Sequence, residues 1–315
     1  MGGRSAALEV PLWAWLVFAG AVVISLAADL LGHRGGRGLG RRGAIAWSIG
    51  WIGVALLFAG WVAVQFGREV AGDFIAAYLI EKSLSIDNLF VFLIVFARLR
   101  IPEDEQRRVL FWGILGAFVT RAVFIAGGTA LLSAWHGLVY ALGVLLIYTG
   151  VKTARERPDY NEEGKVLSFV RRHLRYTPEL HGHRFVVTEA GRRVATPLML
   201  ALLVVEITDV FFAVDSIPAA FAISEEPFIV YSSNVFAILG LRALYLVISD
   251  LLTGLKYLRY GLAAILVFAG AKMLVSGIVH VPHVVSLLVV IGILVVTIVP
   301  SVIARRHDAR RVRHG

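Results

Sequence analysis

The chain of 315 residues contains no cysteine. Disulfides, Fe–S clusters and thiolate metal sites are thereby excluded, and with them the usual soft-metal chemistry. Methionine is scarce: three residues are too few to line a copper path. Catalytic signatures are missing as well, with no Gly-x-Ser-x-Gly, no His-Glu-x-x-His and no histidine inside an apolar run. The chain is accordingly read as a non-enzyme without a cofactor. Charge is thin, at 17% Asp, Glu, Lys and Arg.

What is abundant is apolar sequence, at 58% of residues and a mean hydropathy of +0.78. Soluble domains sit nearer half. The excess comes in blocks rather than in alternation, which predicts an all-α, polytopic membrane protein embedded in a lipid bilayer. Spans need roughly 20 apolar residues, and nine stretches qualify: 8–31, 44–66, 72–98, 107–133, 136–153, 196–223, 228–249, 257–278 and 283–304. Only Arg4 precedes the first, and no small-residue cleavage site stands out. It is therefore read as a retained span, not a signal peptide.

The net charge of +9 does not form a nucleic-acid face. Arginines cluster in the segments after spans one, three, five and seven and in the tail Arg305–Arg313, whereas Glu225, Glu226, His280 and His283 lie in the alternate segments. The positive-inside rule then sets the N-terminus outside and the C-terminus in the cytoplasm, as an odd number of spans requires. The long basic segment 154–195 is expected to hold a short helix near Lys165–Arg175 and a small hairpin after Arg184. A solvated connector is the preferred reading of it, a regulatory element the other. His280 and His283 read as part of a solvated outer loop.

Two apolar blocks carry a matching acidic signature. Glu81-Lys-Ser-Leu-Ser-Ile-Asp87-Asn88 is echoed by Asp209-Val-Phe-Phe-Ala-Val-Asp215-Ser216, preceded by Glu206. The same 128 positions separate Glu81 from Asp209 and Asp87 from Asp215. Tyr140–Lys152 likewise resembles Tyr260–Lys272, and Gly113-Ile-Leu-Gly116 resembles Ala237-Ile-Leu-Gly240. Spans three to five thus repeat as spans six to eight, in opposite orientation, a transporter pattern. The expected divisions are 1–71 (two helices), 72–153 (repeat one), 154–195 (cytoplasmic loop), 196–278 (repeat two, inverted) and 279–315 (last helix and basic tail).

Carboxylates in hydrocarbon are expensive and mark ion or proton pathways. The expected site is Glu81, Asp87, Asn88, Glu206, Asp209, Asp215 and Ser216. Its carboxylate, amide and hydroxyl oxygens suit hard divalent cations. A helix turns about 100° per residue, so acids six apart lie about 120° off one face. Glu206 and Asp209 can share a face; for Asp215 to join them the helix must break, and Pro218 is the expected breaker. Arg121 and Arg242 read as structural counter-charges, Lys152 and Lys272 as snorkelling side chains, Asp29 and Asp250 as interfacial. Asn234 could add a further oxygen.

These residues, with Ala195-Thr-Pro-Leu-Met199 and Asn234-Val-Phe-Ala-Ile-Leu-Gly-Leu-Arg-Ala243, resemble the TerC family and within it the Alx-type bacterial members. The resemblance covers almost the whole chain. It implies a bacterial inner-membrane protein related to the LysE-type transporter superfamily, which exports Mn²⁺ from the cytoplasm through Glu81, Asp87, Glu206, Asp209 and Asp215. Proton exchange is compatible with those acids. A Ca²⁺/proton exchanger and a membrane scaffold or assembly factor are the alternatives, and the oligomeric state is open.

Overall fold

The structure is a computed structural model. It describes residues 10–32, 41–135, 137–155, 161–189, 191–241, 243–245, 258–278, 281–282, 285–297 and 300. Within these stretches some side chains fall outside the description, Asp87, Asn88 and Asp215 among them.

Each of the nine expected spans is helical over most of its described length. Helices α1 (Leu12–Gly32), α2 (Arg41–Phe66), α3 (Arg68–Arg98), α4 (Glu103–Ala134) and α5 (Leu138–Arg155) come first. A short α6 (Asn161–His173) and a hairpin of β1 (Val186–Glu189) and β2 (Arg192–Ala195) follow. Then come α7 (Pro197–Phe221), α8 (Pro227–Ile238), α9 (Leu258–Val275) and α10 (Val285–Thr297). By length and composition α1, α2, α4, α5 and α7 can cross a bilayer, while α8, α9 and α10 are shorter apolar helices. At 31 residues α3 is also long enough. It falls outside the apolar group because Asp73, Glu81, Lys82 and Asp87 lie along it.

Helices α3, α4, α7 and α8 form the centre. α3 packs against α7 and α8, and α4 does the same. Around them α1 and α2 turn Leu16, Ile24, Leu56, Leu57 and Val64 outward, the apolar exposure that lipid rather than water accommodates. Their inner faces supply aromatics to the centre, as where Phe58 meets Phe236 at a centroid distance of 4.6 Å. On the other flank α5 and α9 pack backbone to backbone. A Cβ on Gly143 would lie 3.0 Å from the Gly270 carbonyl, and one on Gly150 would lie 2.9 Å from the Ala263 carbonyl. Small residues permit this approach, which is how helices associate where no hydrophobic effect drives them together.

The expected hairpin forms, in antiparallel register from Val186 opposite Ala195 to Glu189 opposite Arg192. Gly191 adopts φ 75° in its turn, a conformation that favours glycine. The segment is tied down at both ends. Thr196 donates its hydroxyl to the Arg184 carbonyl at 2.7 Å and its N–H to the Phe185 carbonyl at 3.0 Å. His183 bonds Glu105 at the start of α4.

One expectation fails. Pro218 does not break its helix: α7 runs through it to Phe221. Proline costs its helix one hydrogen bond and a clash with the preceding turn. Here little helix remains beyond it, and the Pro218 carbonyl accepts from Ala222 N–H at 2.9 Å. The interruption lies in span seven instead. α8 stops at Ile238, Leu239 leaves helical geometry at ψ 129°, and Gly240 has φ 84°. The helix resumes with Leu244 N–H on the Gly240 carbonyl at 2.9 Å.

Candidate ion site

Four helices aim polar side chains at one point, and what stands there is Arg121 of α4. It is fully buried, the largest side chain so enclosed among the described residues. Its Nη1 forms an ion pair with Glu81 Oε1 of α3 at 2.5 Å and donates to Asn234 Oδ1 of α8 at 2.5 Å and to Ser216 Oγ of α7 at 3.3 Å. Its Nη2 donates to Asp209 Oδ1 of α7 at 3.3 Å. Asn234 gives its own Nδ2 to the Val230 carbonyl at 2.9 Å, which aims Oδ1 at the guanidinium. Ser85, one turn beyond Glu81, reaches its Oε1 at 3.5 Å.

Helical spacing explains the convergence. Asp209 and Ser216 are seven apart and so share a face of α7. Glu81 and Ser85 are four apart on α3. Lys82, next to Glu81 but turned about 100° away, leaves the cluster and donates Nζ to the Ala237 carbonyl at 2.9 Å. That carbonyl belongs to the last turn of α8, just before the interruption, where helix carbonyls lack intrahelical donors. The ammonium also suits the negative end of the helix dipole.

The network is incomplete. Glu81 Oε2, Asp209 Oδ2 and Arg121 Nε are buried with no hydrogen-bond partner among the described residues. Buried polar groups are nearly always paired, and a buried ion pair gains only if its remaining lone pairs are met. Two buried carboxylate oxygens are therefore open acceptors among the described residues.

Of the expected site residues, Glu81, Asp209 and Ser216 meet at Arg121. Glu206 lies one turn from Asp209, its carboxylate filling the space where a Cβ on Gly116 of α4 would sit. The side chains of Asp87, Asn88 and Asp215 lie outside the described residues, as do Arg242, Asp250, His280 and His283. Among the described residues no three His, Asp or Glu side chains are grouped to hold a metal ion. Arg121 is a counter-charge, as expected. Asn234 turns its oxygen to Arg121, and Asp29 accepts from Trp47 Nε1 at 3.2 Å. Sequence reasoning missed Lys82 at the end of α8 and the break at Gly240. The paired glycines Gly116 and Gly240 were the available signal, since an aligned glycine in an apolar span has a packing or conformational reason.

The helices and this enclosed charged centre define a multi-pass integral membrane protein. Residues 66–309 match the integral membrane protein TerC family, and the chain belongs to it. It is 47% identical over 296 residues to an uncharacterized membrane protein, STKORF319, of Myxococcus xanthus, covering 93% of each chain. It is 46% identical over 310 residues to Alx of Escherichia coli (strain K12), covering 94% of this chain and 97% of the relative. The name of that relative gives it, provisionally, as a membrane-bound redox modulator. A membrane protein of Rickettsia felis is 36% identical over 294 residues, covering 92% of this chain. No solved structure matches.

Proposed function

We propose that the chain exports a divalent metal ion, Mn²⁺ foremost, from the cytoplasm across the bacterial inner membrane, with protons as a candidate counter-ion. The observation that carries this reading is the meeting of Glu81 and Asp209, each with one open buried oxygen, inside a bundle of apolar helices. Intramembrane acids of this kind mark ion pathways, and an all-oxygen donor set suits Mn²⁺, Mg²⁺ or Ca²⁺. Glu206, Asp87 and Asp215, with Asn88 and Ser216, complete the proposed ligand set. The N-terminus lies outside and the C-terminus in the cytoplasm in this reading.

The two halves, α3–α5 and α7–α9, act as inverted repeats around that site. Three packing relations support this. α3 lies on α8 as α4 lies on α7. In the α5–α9 seam, Gly143 meets Gly270 and Gly150 meets Ala263. The sequence repeat pairs Gly143 with Ala263 and Gly150 with Gly270, so exchanging the halves maps one contact onto the other. Glu81 and Asp209, the acids the repeat pairs, share one guanidinium.

The redox role in the relatives' name comes to this chain only indirectly. With no cysteine it has no thiol of its own to carry electrons, so the link would run through a redox-active metal cargo. The reading is tested in cells lacking the endogenous transporter and challenged with manganese. The wild-type chain lowers cell Mn²⁺, whereas Asp87→Asn and Asp215→Asn do not. Normal Mn²⁺ lowering by both variants would refute the site. A scaffold would instead tolerate these changes and lose function when segment 154–195 is replaced.

A further inference from the structure

We infer that Arg121 is a tethered competitor of the cargo, a fixed cation that holds the Glu81 and Asp209 carboxylates until a divalent ion displaces it. This rests on the transport reading above and adds a residue that sets affinity and release. For a cation seated on the oxygens that Arg121 now holds, geometry makes the two occupants exclusive. The guanidinium nitrogens already sit 2.5 Å from Glu81 Oε1 and 3.3 Å from Asp209 Oδ1. A cation bound to the same two oxygens would occupy the same space.

Charge points the same way. Two carboxylates against one guanidinium leave one negative charge unbalanced within this group, and Glu81 Oε2 and Asp209 Oδ2 have no hydrogen-bond partner among the described residues. A divalent ion balances the pair in full. On Glu81 and Asp209 alone, the ion and Arg121 together would carry one positive charge too many, which a low-dielectric interior disfavours. Asn234 Oδ1 and Ser216 Oγ contact the same nitrogen, Nη1, without bearing charge. They position Arg121 over the acids, and loosening them frees the acids without altering them.

The test is Mn²⁺ binding to the purified full chain in detergent, read from the loss of the free Mn²⁺ spin-resonance signal. A competitor lowers apparent affinity by the fraction of time it vacates the site, so Arg121→Gln is expected to bind roughly tenfold or more tightly than wild type. Arg121→Lys, a weaker multidentate partner, falls between. In proteoliposomes the Arg121→Gln protein shows a lower KM and a lower maximal rate, because release loses its competitor. A purely bracing role would show instead as weaker binding in Arg121→Gln that Arg121→Lys restores. Asn234→Ala, which leaves every charge in place, is expected to bind a few-fold more tightly and decides the matter alone should Arg121→Gln not fold. Equal or weaker binding in these variants, with Mn²⁺ bound by wild type, overturns the inference and leaves transport standing. No Mn²⁺ binding by wild type or any variant overturns both.

Discussion

Two acids, one arginine and one amide hold the centre of this bundle, and removing any one strands the others. Glu81→Gln leaves Arg121 with Asp209 as its single charged partner among the described residues. Breaking a buried pair in this way costs about 3–5 kcal/mol, expected as a lower unfolding temperature in detergent together with lost transport. Ser216→Ala removes a neutral ligand oxygen together with its 3.3 Å contact to Arg121 and is expected to cost about 1 kcal/mol or less in stability, with transport weakened but not abolished. The acids were legible in the sequence, because a carboxylate within an apolar run has few structural reasons to exist. Their convergence on Arg121 was not, since α3, α4, α7 and α8 meet only through tertiary packing. Lys82 shows the same limit. The sequence places it beside Glu81, but only the position of α8 reveals that it serves the Ala237 carbonyl.

At the scale of the helix, the informative comparison is Pro218 against Gly240. Proline is the louder signal, yet α7 carries it near its C-terminal end with little to lose. Glycine is the quieter one, and it turns the chain at φ 84° where a Cβ would meet Trp51 at 2.7 Å. Gly240→Ala is expected to cost roughly 1–2 kcal/mol from the left-handed backbone alone, with a further penalty from Trp51. Thermal unfolding of the purified variant reads the cost directly. A similar loss in Lys82→Met, which strips the donor from Ala237, would locate the effect at the interruption. The loop was legible in outline: alternating residues and Gly191 encode the hairpin, and the amphipathic α6 buries Leu167 and Val170. Its attachment to α7 through Thr196 was not, because those bonds join segments eleven and twelve residues apart. Thr196→Val leaves the Arg184 carbonyl without its hydroxyl donor and is expected to cost about 1–3 kcal/mol, seen as faster proteolysis within 176–195.

For the molecule as a whole, the nine apolar blocks foretold where helices form, since blocks of that length can satisfy their backbone in lipid only as helices. They did not foretell which helices pack together. That is settled by glycine and alanine seams too weak to read alone, such as Gly143 against Gly270. Gly143→Leu is expected to separate α5 from α9 and to abolish both folding yield and transport. As proposed, the bundle moves a hard divalent ion through the Glu81–Asp209 centre. The most direct test of that transport is uptake of Mn²⁺, Ca²⁺ and Mg²⁺ into everted membrane vesicles containing the wild-type chain or Asp209→Asn, with and without a pH gradient. Mn²⁺ uptake is expected into wild-type vesicles and is abolished by Asp209→Asn. No Mn²⁺ uptake by wild-type vesicles, or equal uptake by the Asp209→Asn protein at matched abundance, would contradict the proposal.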